Sequence, residues 1–179
     1  METLWPRRFG MAVLGLAAIA SAPASADSAR LSILAPWEAA GRVYQVGPSE
    51  RQFIGALEGI MYVEKGDGEF DTALFVCPVT HEFDTESNKS AASGRCHVAA
   101  TRGNVFGTFT CTGEPGYCDG QFQITGGTEE FEQISGGGAI RIRSVLSVIS
   151  TDQASGEVVA EAKGLAIWPD LAVSLPGQK

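Results

Sequence analysis

Glu58 is the residue best placed for acid–base chemistry, because it interrupts an otherwise apolar strand-like run. It lies between Phe53 and Val63 and shares one face of that run with Ile60 and Tyr62. If this face points into the protein, the buried carboxyl group could act as a general acid or base. Charged side chains are seldom fully buried without a partner, so an outward face is the favoured alternative. Glu58 is the single candidate catalytic residue.

Arg141 and Arg143 form a candidate ligand-binding pair, because they share one face of a run in which they alternate with Ile140 and Ile142. Two guanidinium groups on an inner wall could bind a carboxylate ligand. A solvated outer face, with both isoleucines in the core, is the favoured alternative. Aromatic side chains in strands usually pack in the core. Four of them could nevertheless line a pocket: Tyr44, Tyr62, Tyr117 and Trp168. Of these four, we take Tyr62 as a candidate ligand-binding residue.

The four cysteines are best explained as two disulfides. An even number of cysteines in an exported chain favours bridges, and four cysteines allow three pairings. Disulfide geometry requires close Cα atoms, so neighbouring strands are the preferred partners. We predict Cys77–Cys96 and Cys111–Cys118; the pairing of Cys96 with Cys111 and Cys77 with Cys118 ranks second.

A metal site is the competing use of two of these cysteines. Cys77, His81, Cys96 and His97 carry ligand atoms, and the Cys77–His81 spacing is one that a metal could use. The chain has no Cys-x-x-Cys, however, and an oxidising compartment favours disulfides. We therefore predict no metal and no cofactor.

Residues 1–26 have the pattern of a cleaved signal peptide. Arg7 and Arg8 precede the apolar run 11–20, and small residues ending in Ala24-Ser-Ala26 supply a cleavage site. The apolar run is too short for a stable transmembrane anchor, and no later run is long enough for a transmembrane helix. These features predict a periplasmic or secreted protein.

The mature chain is acidic and of single-domain length. Removing 26 of the 179 residues leaves 153, and it changes the net charge from −8 to −9, because the segment holds two arginines and Glu2. One domain with a real core is expected at this length. A negative surface repels phosphate backbones, so nucleic-acid binding is not expected.

Short β-branched and aromatic runs separated by turn residues predict an all-β fold. There are eight such runs: 42–46, 52–64, 72–79, 95–101, 105–111, 117–124, 139–149 and 158–168. Short connections rich in Gly, Asn and Pro favour hairpins, and closure removes exposed edges. Gly55 and Gly59 on one strand face suit strong coiling. We predict a single eight-stranded antiparallel up-and-down β-barrel rather than a sandwich.

The expected domain organisation places this barrel at residues 41–172. Residues 27–40, which contain Pro36-Trp37, are interpreted as an N-terminal arm, and residues 173–179 as a frayed tail. Residues 81–94 are expected to form a long polar loop.

The glycine-rich segment Thr125–Gly138 resembles the Gly-Gly-Thr-Gly-x-Phe motif of the allene oxide cyclase and dirigent superfamily, with its bacterial relatives. One departure is Glu129, which stands where the family has its next glycine. The residues that carry the resemblance are interpreted as a structural corner: Gly126, Gly127, Thr128, Phe131, Ile134 and Gly136.

The resemblance implies an eight-stranded barrel with an apolar cavity, and it allows a homo-oligomer, as in relatives. Our first hypothesis is an exported barrel that binds a small apolar or amphipathic molecule without turnover. The alternative is an isomerase or cyclase acting inside the barrel. A third is a structural or interaction module whose barrel is packed solid. Fold similarity alone is a weak guide between them.

Overall fold

The computed structural model describes residues 26–64, 69–145 and 157–176, which form one closed antiparallel barrel. The strands are β1 (Ala26–Gln45), β2 (Glu50–Glu64), β3 (Phe70–Asp84), β4 (Lys89–Ala100), β5 (Gly103–Glu114), β6 (Tyr117–Gly127), β7 (Ser135–Val145) and β8 (Glu157–Pro176). Each strand pairs with the next along the chain, and β8 pairs with β1. The predicted fold class and strand order are confirmed. The predicted signal peptide, except for Ala26, lies outside the described residues.

The predicted N-terminal arm, residues 27–40, is wrong as a separate element. These residues belong to β1, which pairs with both β2 and β8 and closes the barrel. Ile33, Ala35, Trp37 and Ala39 alternate inward along this strand. Pro36 suggested a turn. However, the pairing of β1 with β2 is interrupted for two residues at this point, so the missing N–H of Pro36 disturbs the hydrogen bonding between these strands only slightly.

The predicted long loop 81–94 is a hairpin, and most of the predicted tail 173–179 is strand. Strand β3 continues to Asp84 and β4 begins at Lys89, so the turn is 85–88. The Asp84 carboxylate accepts hydrogen bonds from the backbone N–H groups of Glu86 and Ser87, which fixes the turn. Strand β8 reaches Pro176. Both predictions were wrong because the polar residues of these segments were interpreted as loop or tail residues, whereas they lie on the outward faces of strands.

Inward glycines let aromatic rings cross the barrel interior. Gly59 faces Trp37 on β1 and Phe75 on β3, and Gly94 faces Phe109 on β5. A Cβ on Gly94 would lie 2.5 Å from Phe109 Cε1 and 2.9 Å from the Pro78 carbonyl oxygen. Glycine costs a strand stability unless a close approach needs it. Here the aromatic rings occupy the space that side chains at these two positions would fill.

Both predicted disulfides are present. Cys77 on β3 joins Cys96 on β4 with a Cα–Cα distance of 4.1 Å. Cys111 and Cys118 clip the β5–β6 hairpin with a Cα–Cα distance of 5.5 Å. Each bridge joins neighbouring strands, which is the adjacency on which the prediction depended. Because Cys77 and Cys96 are bonded to each other, neither can supply the thiolate that the alternative metal site required.

The glycine-rich corner turns the chain from β6 into β7 through a short 3-10 helix, Glu129–Phe131. Gly126 and Gly136 have φ angles of 153° and 143°, which glycine adopts readily. The Thr128 hydroxyl accepts a hydrogen bond of 3.1 Å from the Asn104 backbone N–H and so ties the corner to β5. Glu129 has a φ of 56°, in the left-handed region that favours glycine.

Glu129→Gly is expected to raise the free energy of unfolding by about 0.5–1 kcal/mol, since glycine avoids the left-handed penalty but loses more chain entropy. Urea denaturation of the two proteins measures the difference. Glu132→Gly is the matched control, because Glu132 has a φ of −57° and glycine gains nothing there. A loss of stability in Glu129→Gly would contradict the prediction.

Candidate ligand-binding site

Described residues line two cavities of the barrel interior, one near each rim. The larger has a volume of about 730 Å³ and lies toward the rim formed by the β4–β5 turn and the 3-10 helix. The smaller, of about 100 Å³, lies toward the rim formed by the β3–β4 and β5–β6 turns. Inward side chains of the strands form both walls. The alternation of inward and outward side chains along the strands therefore positions the residues of both cavities.

The wall of the larger cavity is mainly aliphatic and aromatic. Trp168, only 2% exposed, packs edge-on against Phe122 with 5.5 Å between ring centroids. The indole Nε1 of Trp168 is buried and has no hydrogen-bond partner among the described residues. Further apolar residues of the wall include Leu31, Ile33, Met61, Val63, Val98, Ile124, Ile134, Leu171 and Val173. The cavity thus combines a large apolar surface with one buried donor.

The charged side chains in the described wall of the larger cavity are Arg30, Asp71 and Arg102; all three are exposed, and both arginines are paired. Arg30 forms an exposed ion pair of 2.6 Å with Asp170. Arg102 forms an ion pair of 3.2 Å with Glu130, and its guanidinium carbon lies 5.9 Å from the centre of the Phe131 ring. Exposed pairs of this kind contribute little stability. They place polarity at the entrance and leave the interior apolar.

The wall of the smaller cavity is mainly apolar, but it also contains Glu114, Tyr117, Ser144 and three further polar side chains. Trp37 and Ser90 are 5% and 7% exposed. Trp37 Nε1 and Ser90 Oγ have no hydrogen-bond partner among the described residues. His81 is the third, with its ring 5.5 Å from that of Phe83, and burial lowers the pKa of its imidazole. A neutral imidazole is therefore favoured in the folded protein.

Glu58 does not line either cavity. It is exposed on the outer face of β2, where it stands beside Glu38 of β1 and Val76 of β3 in the strand register. The inward side chains of this strand are Leu57 and Met61. The catalytic hypothesis required an inward Glu58, so it does not hold.

The other candidate site residues also lie outside the barrel interior. Arg141 is exposed, and Tyr62 is half-buried on the outer face. Arg143 forms an ion pair of 2.7 Å with Asp119 and lies 5.3 Å from the centre of the Tyr117 ring. Its hydrogen bond and charge lower the pKa of the Asp119 carboxyl group. These residues form part of a polar outer surface and do not enclose a ligand. For the two arginines, this agrees with the favoured alternative, a solvated outer face.

Sequence reasoning missed most of the residues that line the cavities. Of the four aromatic residues considered, Trp168 lines the larger cavity and Tyr117 the smaller one. Trp37 was interpreted as part of an arm, and Ser90 and His81 as part of a loop. The usable signal was alternation: Trp37 is in phase with Ile33 and Ala35, and His81 is in phase with Phe75, Cys77 and Val79.

The described residues contain no group of three or more His, Cys, Asp or Glu side chains arranged to hold a metal ion. No helix in the described part of the chain has the length and apolar character needed to cross a membrane. Comparison of the chain with protein-family models, with curated proteins and with solved structures finds no match in any of the three.

Proposed function

We propose that this protein is an exported binding barrel that holds a small, mainly apolar molecule in its larger cavity. The observation that carries the proposal is the cavity of about 730 Å³ with an apolar wall and a buried indole donor. Small-molecule sites in proteins are typically concave, mostly apolar and about 300–1,000 Å³ in volume, with a few polar groups that fix orientation.

The unpaired Trp168 Nε1 defines the polar requirement of the ligand. A buried N–H without a partner costs about 1–3 kcal/mol, so nearly all such groups are satisfied in native proteins. A ligand oxygen accepting from Trp168 would remove that cost. The preferred ligand is therefore an apolar body with one accepting oxygen at its inner end.

Binding without turnover is the hypothesis that the geometry favours. The isomerase or cyclase alternative depended on an inward carboxyl or tyrosine. Glu58 and Tyr62 lie on the outer face, and Asp71, the carboxyl in the described wall of the larger cavity, is exposed. The cavity volume argues against a barrel packed solid. Membership in the allene oxide cyclase and dirigent superfamily is part of this proposal and depends on the corner motif. Export depends on the N-terminal pattern, with which the two disulfides are consistent.

The test uses a neutral apolar dye, N-phenyl-1-naphthylamine, and a matched pair of double variants. Ala73 and Ala100 line the larger cavity, whereas their chain neighbours Leu74 and Ala99 point outward and face each other across β3 and β4. Ala73→Phe with Ala100→Phe fills the cavity. We expect dye affinity to fall at least about tenfold, which corresponds to about 1.4 kcal/mol.

Leu74→Phe with Ala99→Phe adds aromatic surface to the outer face and should leave dye affinity unchanged. Native mass spectrometry of the unmodified protein, purified without denaturation, should show a retained small molecule that the filled variant lacks. Equal dye affinity in both double variants would place binding on the outer surface and overturn the proposal.

A further inference from the structure

The smaller cavity is separated from the larger one by a packed layer of the core. No residue in the described part of the chain lines both cavities. On every strand except β7, inward residues that line neither cavity lie between those that line one and those that line the other. Ala35, Phe75 and Ile140, each at most 2% exposed, belong to this layer, as does the Cys77–Cys96 disulfide. The two cavities are therefore distinct sites at opposite ends of one barrel.

Two side chains in the wall of the smaller cavity each carry a buried donor. Trp37 Nε1 belongs to β1 and Ser90 Oγ to β4, and neither is satisfied among the described residues. Buried unpaired polar atoms are uncommon in native proteins and call for an explanation. A molecule that accepts hydrogen bonds there would account for two such atoms in one wall.

The charges around the smaller cavity favour a neutral molecule. Among the described residues of its wall, the charged side chain is Glu114 of β5, which is exposed, and there is no lysine or arginine. The other titratable side chains are His81 of β3 and Tyr117 of β6. Burial favours the neutral form of His81. An anion would meet Glu114 without a balancing cation, so an uncharged ligand is the better fit.

The volume limits the ligand to a few atoms. At about 100 Å³, the cavity is smaller than the engineered cavity of about 150 Å³ that binds benzene, and larger than the space that one water needs. Its remaining wall is apolar and includes Leu57, Val79, Phe109 and Ile142. We propose that the smaller cavity is a second binding site, for a compact neutral molecule with an accepting oxygen, such as a small ketone, alcohol or amide.

The tryptophans of the two cavities allow the two sites to be measured separately in protein that lacks the predicted signal peptide, which contains the third tryptophan, Trp5. Trp37 lines the smaller cavity and Trp168 the larger one. Fluorine NMR of 5-fluorotryptophan-labelled protein gives each indole its own resonance, assigned with Trp37→Phe and Trp168→Phe. Acetone is the probe, and isobutene is the control of similar shape without the carbonyl oxygen. We expect acetone to shift the Trp37 resonance saturably and to leave the Trp168 resonance in place.

Two variants test the site itself. Ala92→Leu fills the smaller cavity and should abolish the saturable shift, whereas Ala91→Leu, its exposed neighbour on β4, should not. Ser90→Ala removes one donor and should weaken acetone binding about three- to tenfold, the value of one hydrogen bond. Isobutene should bind more weakly than acetone.

The outcomes that overturn this second site are specific. They are a Trp37 resonance that never saturates with acetone, an unchanged titration in Ala92→Leu, or equal binding of isobutene and acetone. A cavity filled by ordered water alone would give the first of these results. A failure here leaves the dye experiment on the larger cavity unaffected, because that experiment does not involve Trp37.

Discussion

Gly59→Val is expected to lower the free energy of unfolding by about 3 kcal/mol, the upper part of the usual range for overpacking a core. Gly59 lies in the packed layer between the cavities, so neither empty volume can accept the new side chain. An added Cβ would collide with the Pro36 carbonyl oxygen and lie 3.0 Å from Phe75 Cε1. A backbone oxygen cannot move aside without disturbing β1.

Ala56→Val is the matched control for this substitution. Ala56 lies on the outer face of the same strand, where a larger β-branched side chain has room and suits a strand. Its effect should stay within about 0.5 kcal/mol, as for most surface substitutions. Urea denaturation measures both variants. Equal stabilities of Gly59→Val and Ala56→Val would show that the inward glycine is not required.

Removal of the Cys77–Cys96 disulfide by alanine substitution of both cysteines should cost about 3 kcal/mol. The bridge closes a chain segment with a sequence separation of 19, and in the chain-entropy model a loop of this size contributes about that much. Both cysteines are buried, so the alanine pair avoids burying new hydroxyl groups. The measurement is urea denaturation without reductant.

The second disulfide provides the comparison. Cys111 and Cys118 are separated by 7 residues, so alanine substitution of this pair should cost roughly 0.8 kcal/mol less in the same model. Reductant should reproduce the sum of both losses in the unmodified protein. If the variant without the Cys77–Cys96 bridge were as stable as the unmodified protein, the prediction would be contradicted, because closing the longer loop would then contribute nothing to stability.

The strand order and the disulfides could be predicted because they depend on local signals. Short turns at Gly103 and Pro115-Gly116 join strands that are neighbours in sequence, so a meander follows. Once the meander is fixed, adjacency selects the pairing of Cys77 with Cys96. The same reasoning failed for β1, where Pro36 suggested a break. The sequence does not distinguish a proline that a strand tolerates at a gap in its pairing from a proline that ends the strand.

The inward faces could not be predicted, because alternation shows two faces without saying which one is inside. On β2, the face with Glu58, Ile60 and Tyr62 and the face with Leu57 and Met61 are both largely apolar. The choice is made by rings on other strands, such as Trp37 and Phe75, which require Gly59 beneath them. Cavity volume is even harder to predict from local sequence, because it is the space that the inward side chains of all eight strands together leave unfilled.

The pairing of β1 with β8 has a consequence for how the chain reaches its folded state. All other strand pairs join neighbours in sequence, whereas this one brings Ala26 opposite Pro176. If residues 1–26 direct export, β1 crosses the membrane first and β8 last. One edge of β1 then stays open throughout translocation, and ring closure waits for the final strand. Such an edge is prone to pair with other chains, so under this order of export the arrival of β8 is the step that protects β1 from aggregation.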